Sequence, residues 1–112
     1  MPWQQLDTVQ HDFSALAGDD DLSLDLPTPP DFRQVRGSAR FTFVNRGTAS
    51  AYLLTAADVA APILSAFEIP SGQTRISSVI DWPISATSGE YPQLHGLLGA
   101  NVFVTPEVKY IP

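Results

Sequence analysis

Two histidines, His11 and His95, are the residues best suited to proton transfer or metal binding, and they stand 84 positions apart. Neither belongs to an HxxxH or HExxH pattern, so the spacing that seats two imidazoles on one metal is missing. The run Gly18-Asp19-Asp20-Asp21-Leu22-Ser23-Leu24-Asp25 concentrates carboxylates. A calcium loop needs oxygens at alternate positions around a turn-forming glycine. Here the glycine comes first, and Leu22 and Leu24 occupy intervening positions. Serines are plentiful but none sits in a GxSxG elbow, and Gly37, Gly47 and Gly72 are isolated turn glycines outside any phosphate-binding pattern. There is no cysteine for a thiolate, a disulfide or a sulfur-ligated metal. A carboxylate pair for glycoside hydrolysis needs a cleft for which so small a β body has little room. The pattern predicts a protein that is not an enzyme and holds no cofactor or metal. Trp82-Pro83 and Tyr91-Pro92 are the remaining features, either a platform for a ligand such as a carbohydrate or, for Trp82, a plug in the open end of a sandwich.

Charge divides the chain. Residues 1–31 carry seven aspartates (Asp7, Asp12, Asp19, Asp20, Asp21, Asp25, Asp31) and no Lys or Arg. Residues 32–112 carry six basic and five acidic side chains, so the net −6 is an acidic leader joined to a nearly neutral body. The five arginines and one lysine are scattered, which argues against phosphate-backbone binding and hence against a nucleic-acid partner. No apolar run approaches the roughly 18 residues of a membrane span. The N-terminus lacks the basic and apolar regions of a secretory signal.

The elements that must position these residues follow from periodicity. Trp3, Leu6, Val9, Phe13 and Leu16 recur at spacings of three and four, Pro2 suits a first helical position and Gly18 a stop, so a short helix is predicted over 2–17. A helix that short needs a surface to pack on, either its own body or another subunit. Asp21–Leu26 alternates strictly, a half-buried strand pattern. Pro27-Thr28-Pro29-Pro30 then ends regular structure and marks the boundary between an arm, 1–31, and a body, 32–112.

The body reads as strands. Ser38–Val44 and Ala49–Thr55 flank a turn at 45–48, and a small Ala-rich connection follows at 56–62. Ile63–Ile69 and Thr74–Trp82 flank Pro70-Ser71-Gly72-Gln73, and the imperfect period of the second predicts a bulge. Residues 83–100 read as an irregular loop, with Tyr91, Leu94, Leu97 and Leu98 too apolar for disorder. Asn101–Ile111 closes the chain, with Pro106 favouring a sheet edge or a bulge. The expected fold is all-β, a small sandwich or barrel with an extended N-terminal arm.

In the stiff segment Pro27-Thr28-Pro29-Pro30, the turn Ile69-Pro70-Ser71-Gly72-Gln73-Thr74 and the closing strand Asn101-Val102-Phe103-Val104-Thr105-Pro106, the chain resembles small accessory proteins of tailed-phage virions. These are capsid decoration (cement) proteins or head–tail structural proteins. The resemblance implies a non-enzymatic role: binding assembled coat or tail subunits within the virion, as a homo-oligomer. Trp3, Leu6, Phe13, Leu22, Leu24 and Leu26 are the expected partner contacts of the arm, the leucine row adding to a neighbour's sheet edge. Trp82, Tyr91, Leu94 and Leu97 are the expected loop contacts. The alternative is a ligand-binding β module of a phage tail or a secreted protein, binding a carbohydrate or a receptor through that loop.

Overall fold

A computed structural model describes residues 3–15, 17–27, 36–54, 66–83 and 92–111. Among these residues ten strands form two antiparallel sheets. The first sheet contains β1 (Gln4–Gln5), β2 (Val9–Asp12), β4 (Arg36–Asn45), β7 (Thr74–Ile76), β8 (Ile80–Pro83) and β10 (Asn101–Ile111). The second contains β3 (Asp20–Ser23), β5 (Ala51–Leu54), β6 (Phe67–Ile69) and β9 (Gln93–Gly96). Both β1 and β2 pair with β10, as two pieces of one interrupted edge. Likewise β7 and β8 both pair with β4. Counting each interrupted pair once, the strand orders are 1-8-3-6 and 2-7-4-5, the topology of an eight-stranded jelly roll. The all-β expectation holds.

The core follows the two-residue period of the pleat. From the first sheet Ala39, Phe41, Phe43, Val102, Val104 and Val108 point inward, while Arg40, Thr42, Phe103, Thr105 and Glu107 alternate with them. From the second, Leu22, Leu94, Leu53 and Phe67 form one cross-strand row. Asn45 ties the two sheets together. Its Nδ2 donates to Ala49 O (2.8 Å) and Ile69 O (3.0 Å), and its Oδ1 accepts from the amides of Gly47 (3.0 Å) and Asn101 (3.4 Å). A buried amide satisfied on both ends is worth keeping because an orphaned one costs about 1–3 kcal/mol.

Several sequence expectations change. Among the described residues of 2–17 no helix forms: the segment supplies β1 and β2, because β10 offers backbone partners along its length whereas a lone short helix is marginal. The leader is therefore not an arm beside a body. It gives an edge strand to each sheet, and Phe13, Leu24 and Leu26 lie in the common core. The expected loop 83–100 contains β9, an interior strand between β3 and β5. Its pattern was hidden because Gln93-Leu94-His95-Gly96 places only one large apolar residue inward. The strand with Pro106 is also interior and unbroken, not an edge. Pro106 O accepts from Leu6 N (2.8 Å), so the side lacking an amide proton faces the gap between β1 and β2. The edge strand slips by one residue there, as in a bulge, and no donor is missed. The bulge expected within 74–82 is present at residues 77–79, where Ser77 Oγ accepts from Phe41 N (2.9 Å) and Ser77 N donates to Phe41 O (2.9 Å). The turn at 70–73 is as expected, with Gly72 at φ 76°. Of the third strand, 67–69 is described; its first residues, the connection 56–62 and the segment 28–30 lie outside the described residues.

Phe13 turns the corner between the sheets. Its N–H donates to Ala100 O (2.7 Å), and its ring lies where a Cβ on Gly96 would stand, 2.3 Å from ring atoms. Phe13→Ala should lower stability by about 3–5 kcal/mol, and Gly96→Ala by roughly 1–3 kcal/mol through overpacking. In the Phe13→Ala background, Gly96→Ala should be nearly neutral, a coupling that urea unfolding of the four proteins would measure. Removing residues 1–27 should abolish the cooperative unfolding transition; a truncated chain that melts like the intact one would contradict this architecture.

Candidate functional site

The leader's edge strands lie on the same side of the two sheets, and a pocket opens between them. Val9 and His11 of β2 form one lip, and Ser23, Leu24, Asp25 and Leu26 form the other. Phe41, Val104 and Pro106 make the floor. The pocket measures about 220 Å³. It lies beside the slip between β1 and β2, where the edge strand is not continuous over Pro106. The inward alternation of Val9 and His11 follows from the pleat, as does that of Leu24 and Leu26.

The chemistry of the lips is mild. Among the described residues half-buried His11 has no ionic partner, and burial holds its imidazole below the ordinary value. Ser23 Oγ donates to Asp25 Oδ1. Asp12 caps the turn after β2, accepting from Ser14 Oγ (2.6 Å) and Ser14 N (2.9 Å), and these bonds hold its carboxyl below the usual range.

The leader presents an acidic surface. Asp7, Asp12, Asp19, Asp20, Asp21 and Asp25 are all exposed, and residues 3–27 contain no Lys or Arg. A second cluster lies on the outer face of the β3–β9–β5 sheet. His95 Nδ1 is hydrogen-bonded to Asp21 Oδ1, His95 Nε2 stands 3.8 Å from Asp19 Oδ2, and the His95 ring is 6.3 Å from that of Tyr52. This row joins the leader to the body. It sits on a sheet face rather than in a cleft, and among the described residues no three His, Cys or acidic groups are arranged to hold a metal.

The predicted contact residues separate. Phe13, Leu24, Leu26 and Leu94 are buried in this chain's own core, so their apolar surface is already used. Leu6 and Leu22 are half-buried against that core. Trp3 lies under the Arg40 guanidinium, 4.4 Å from ring centroid to Cζ, and Arg40 also pairs with Glu107 (2.7 Å). Leu97 is half-buried after β9. The backbone of Trp82 pairs with Gly37 in β8, whereas its side chain and Tyr91 lie outside what is described. Val9, His11, Ser23 and Asp25 were absent from the predicted set, since nothing in their spacing couples positions 9–11 to 23–26. Only the corner at Phe13 does that.

No protein-family model matches the chain, and no curated protein matches it significantly.

The low basicity of His11 has a consequence for stability. Its protonation favours the unfolded chain, in which the imidazole has its ordinary value of about 6.5. The neutral side chain is therefore fully compatible with the fold above that pH, and stability falls as pH drops below it toward the folded-state value. Urea midpoints measured between pH 7.5 and 5 should fall less for His11→Asn than for the unsubstituted protein.

Proposed function

We propose that the protein is a non-enzymatic structural component of a tailed-phage virion. It binds assembled capsid subunits as a decoration protein, or neighbouring head–tail subunits, through the leader edge. The supporting observation is that the leader, which supplies an edge to each sheet and lines an apolar pocket, carries six exposed carboxylates. A one-signed edge steers a basic partner and sets its register more than it supplies net affinity. The jelly-roll topology occurs in viral capsid and in lectin domains. Topology alone does not select a function, so the weight falls on the edge. The resemblance in the Pro segment and in the closing strand supports the same reading.

The leader remains the contact element, but by a different mechanism from a free arm. Its leucines secure it to its own sandwich, and its carboxylates and the pocket between them face outward. Truncating the leader would destroy the fold and could not report on binding. Substitutions at exposed acids can.

Asp7→Asn, Asp20→Asn and Asp25→Asn combined should leave the unfolding transition in place. They should weaken co-sedimentation with assembled particles of the phage that carries the gene by about tenfold, since each exposed charge pair contributes roughly 0.2–1 kcal/mol. Binding of the unsubstituted protein should also weaken from about 50 to 500 mM salt as screening shortens. Failure of the unsubstituted protein to associate with capsid, neck or tail fractions would remove this function.

A further inference from the structure

We infer that the pocket between β2 and residues 23–26 receives one large apolar side chain, carried by an extended, basic segment of a protein partner. The inference rests on the reading of the leader edge as a protein-binding surface, and it specifies the partner's chemistry.

Size selects the kind of occupant. An apolar cavity of roughly 150 Å³ takes up benzene, whereas small-molecule sites span roughly 300–1,000 Å³. At about 220 Å³ the pocket lies between these, large enough for one phenyl or branched aliphatic side chain. Its floor of Phe41, Val104 and Pro106 and its flanking Leu24 and Leu26 are apolar. Val9, at the mouth, keeps 49% of its surface exposed. An inserted side chain would cover it and remove apolar area from water.

Backbone geometry selects the form of the segment. Among the described residues β2 pairs with β10 alone, so its other side offers unpaired backbone groups. A strand added there would place alternate side chains beside Val9 and His11, directed as they are toward the space between the sheets. One such side chain enters the pocket. Charge selects the flanks. Asp7 precedes β2, Asp12 ends it and Asp25 lies on the opposite lip, all exposed, with no Lys or Arg among the residues lining the pocket. Lys or Arg on either side of the apolar residue would meet these carboxylates, and acidic flanks would be repelled.

The test uses the full chain, labelled with ¹⁵N, titrated with the acetylated and amidated peptide Lys-Thr-Thr-Phe-Thr-Thr-Lys. Amide shifts should concentrate at residues 9–12 and 23–26. A central Ser in place of Phe should weaken binding by about tenfold or more, the value of burying one such side chain. Glu in place of both Lys should weaken it by roughly fivefold. Val9→Trp, which fills the mouth from an exposed position, should abolish the response while the remaining spectrum shows an intact fold. Equal binding of the Ser and Phe peptides, shifts centred elsewhere, or uptake of benzene with no peptide response would each overturn the inference. Particle co-sedimentation separates it from the broader reading. If Val9→Trp binds particles normally while the triple Asp→Asn protein does not, the pocket inference falls and the edge reading stands. If neither variant is impaired, both fall.

Discussion

The contact of Phe13 with Gly96 is the constraint on which the architecture depends. A residue with any side chain at position 96 would occupy the space of the buried ring. The missing Cβ lets the chain cross from the edge of one sheet to the edge of the other within a few residues. The hydrogen bond from Phe13 N to Ala100 O fixes that crossing against the start of β10. With the corner fixed, β2 and β3 lie on the same side of the sandwich, and the leader becomes its first two strands. The Tyr110 hydroxyl donates to Pro27 O (3.1 Å) and secures the other end of the leader against the last strand.

A second constraint runs across the first sheet. Pro106 is paired with Phe41 on the interior strands. On one side of this pair the edge slips between β1 and β2; on the other it slips between β7 and β8. The two irregularities thus lie at one level across the sheet. Proline accounts for the first, because it has no proton to give the edge strand. Ser77 repairs the second by returning both an acceptor and a donor to Phe41. Such bulges increase twist and re-aim side chains. The pocket floor contains both Phe41 and Pro106, so the cavity and the slip at β1–β2 share a structural origin.

The acidic character of the leader and its apolar order serve different ends. Apolar residues at 13, 24 and 26 enter the core, while the carboxylates between them remain in water. Burying unpaired carboxylates would carry a large desolvation penalty, so this division is enforced whatever the protein binds. It concentrates one sign of charge on one side of the molecule without weakening the interior. The contacts from His95 to the exposed Asp19 and Asp21 join the charged leader to β9.

Much of the strand content was legible in residues alone. Ser38–Val44, Ala49–Thr55 and Asn101–Ile111 alternate strongly enough to show their inward faces, and Pro70-Ser71-Gly72-Gln73 identifies its turn. Composition also determined the charge division, the absence of cysteine chemistry and the poor prospects for a metal motif. Tertiary structure decided the helix-spaced segment that supplies β1 and β2, because pairing with β10 supplies backbone bonds that an isolated helix would have to provide for itself. It decided that Gln93-Leu94-His95-Gly96 is an interior strand, since the requirement for glycine there comes from Phe13, 83 positions earlier. It also decided the pocket. Local periodicity assigns Val9 and Leu24 a face each, but which faces meet depends on sheet order and on a corner whose partners are distant in the chain.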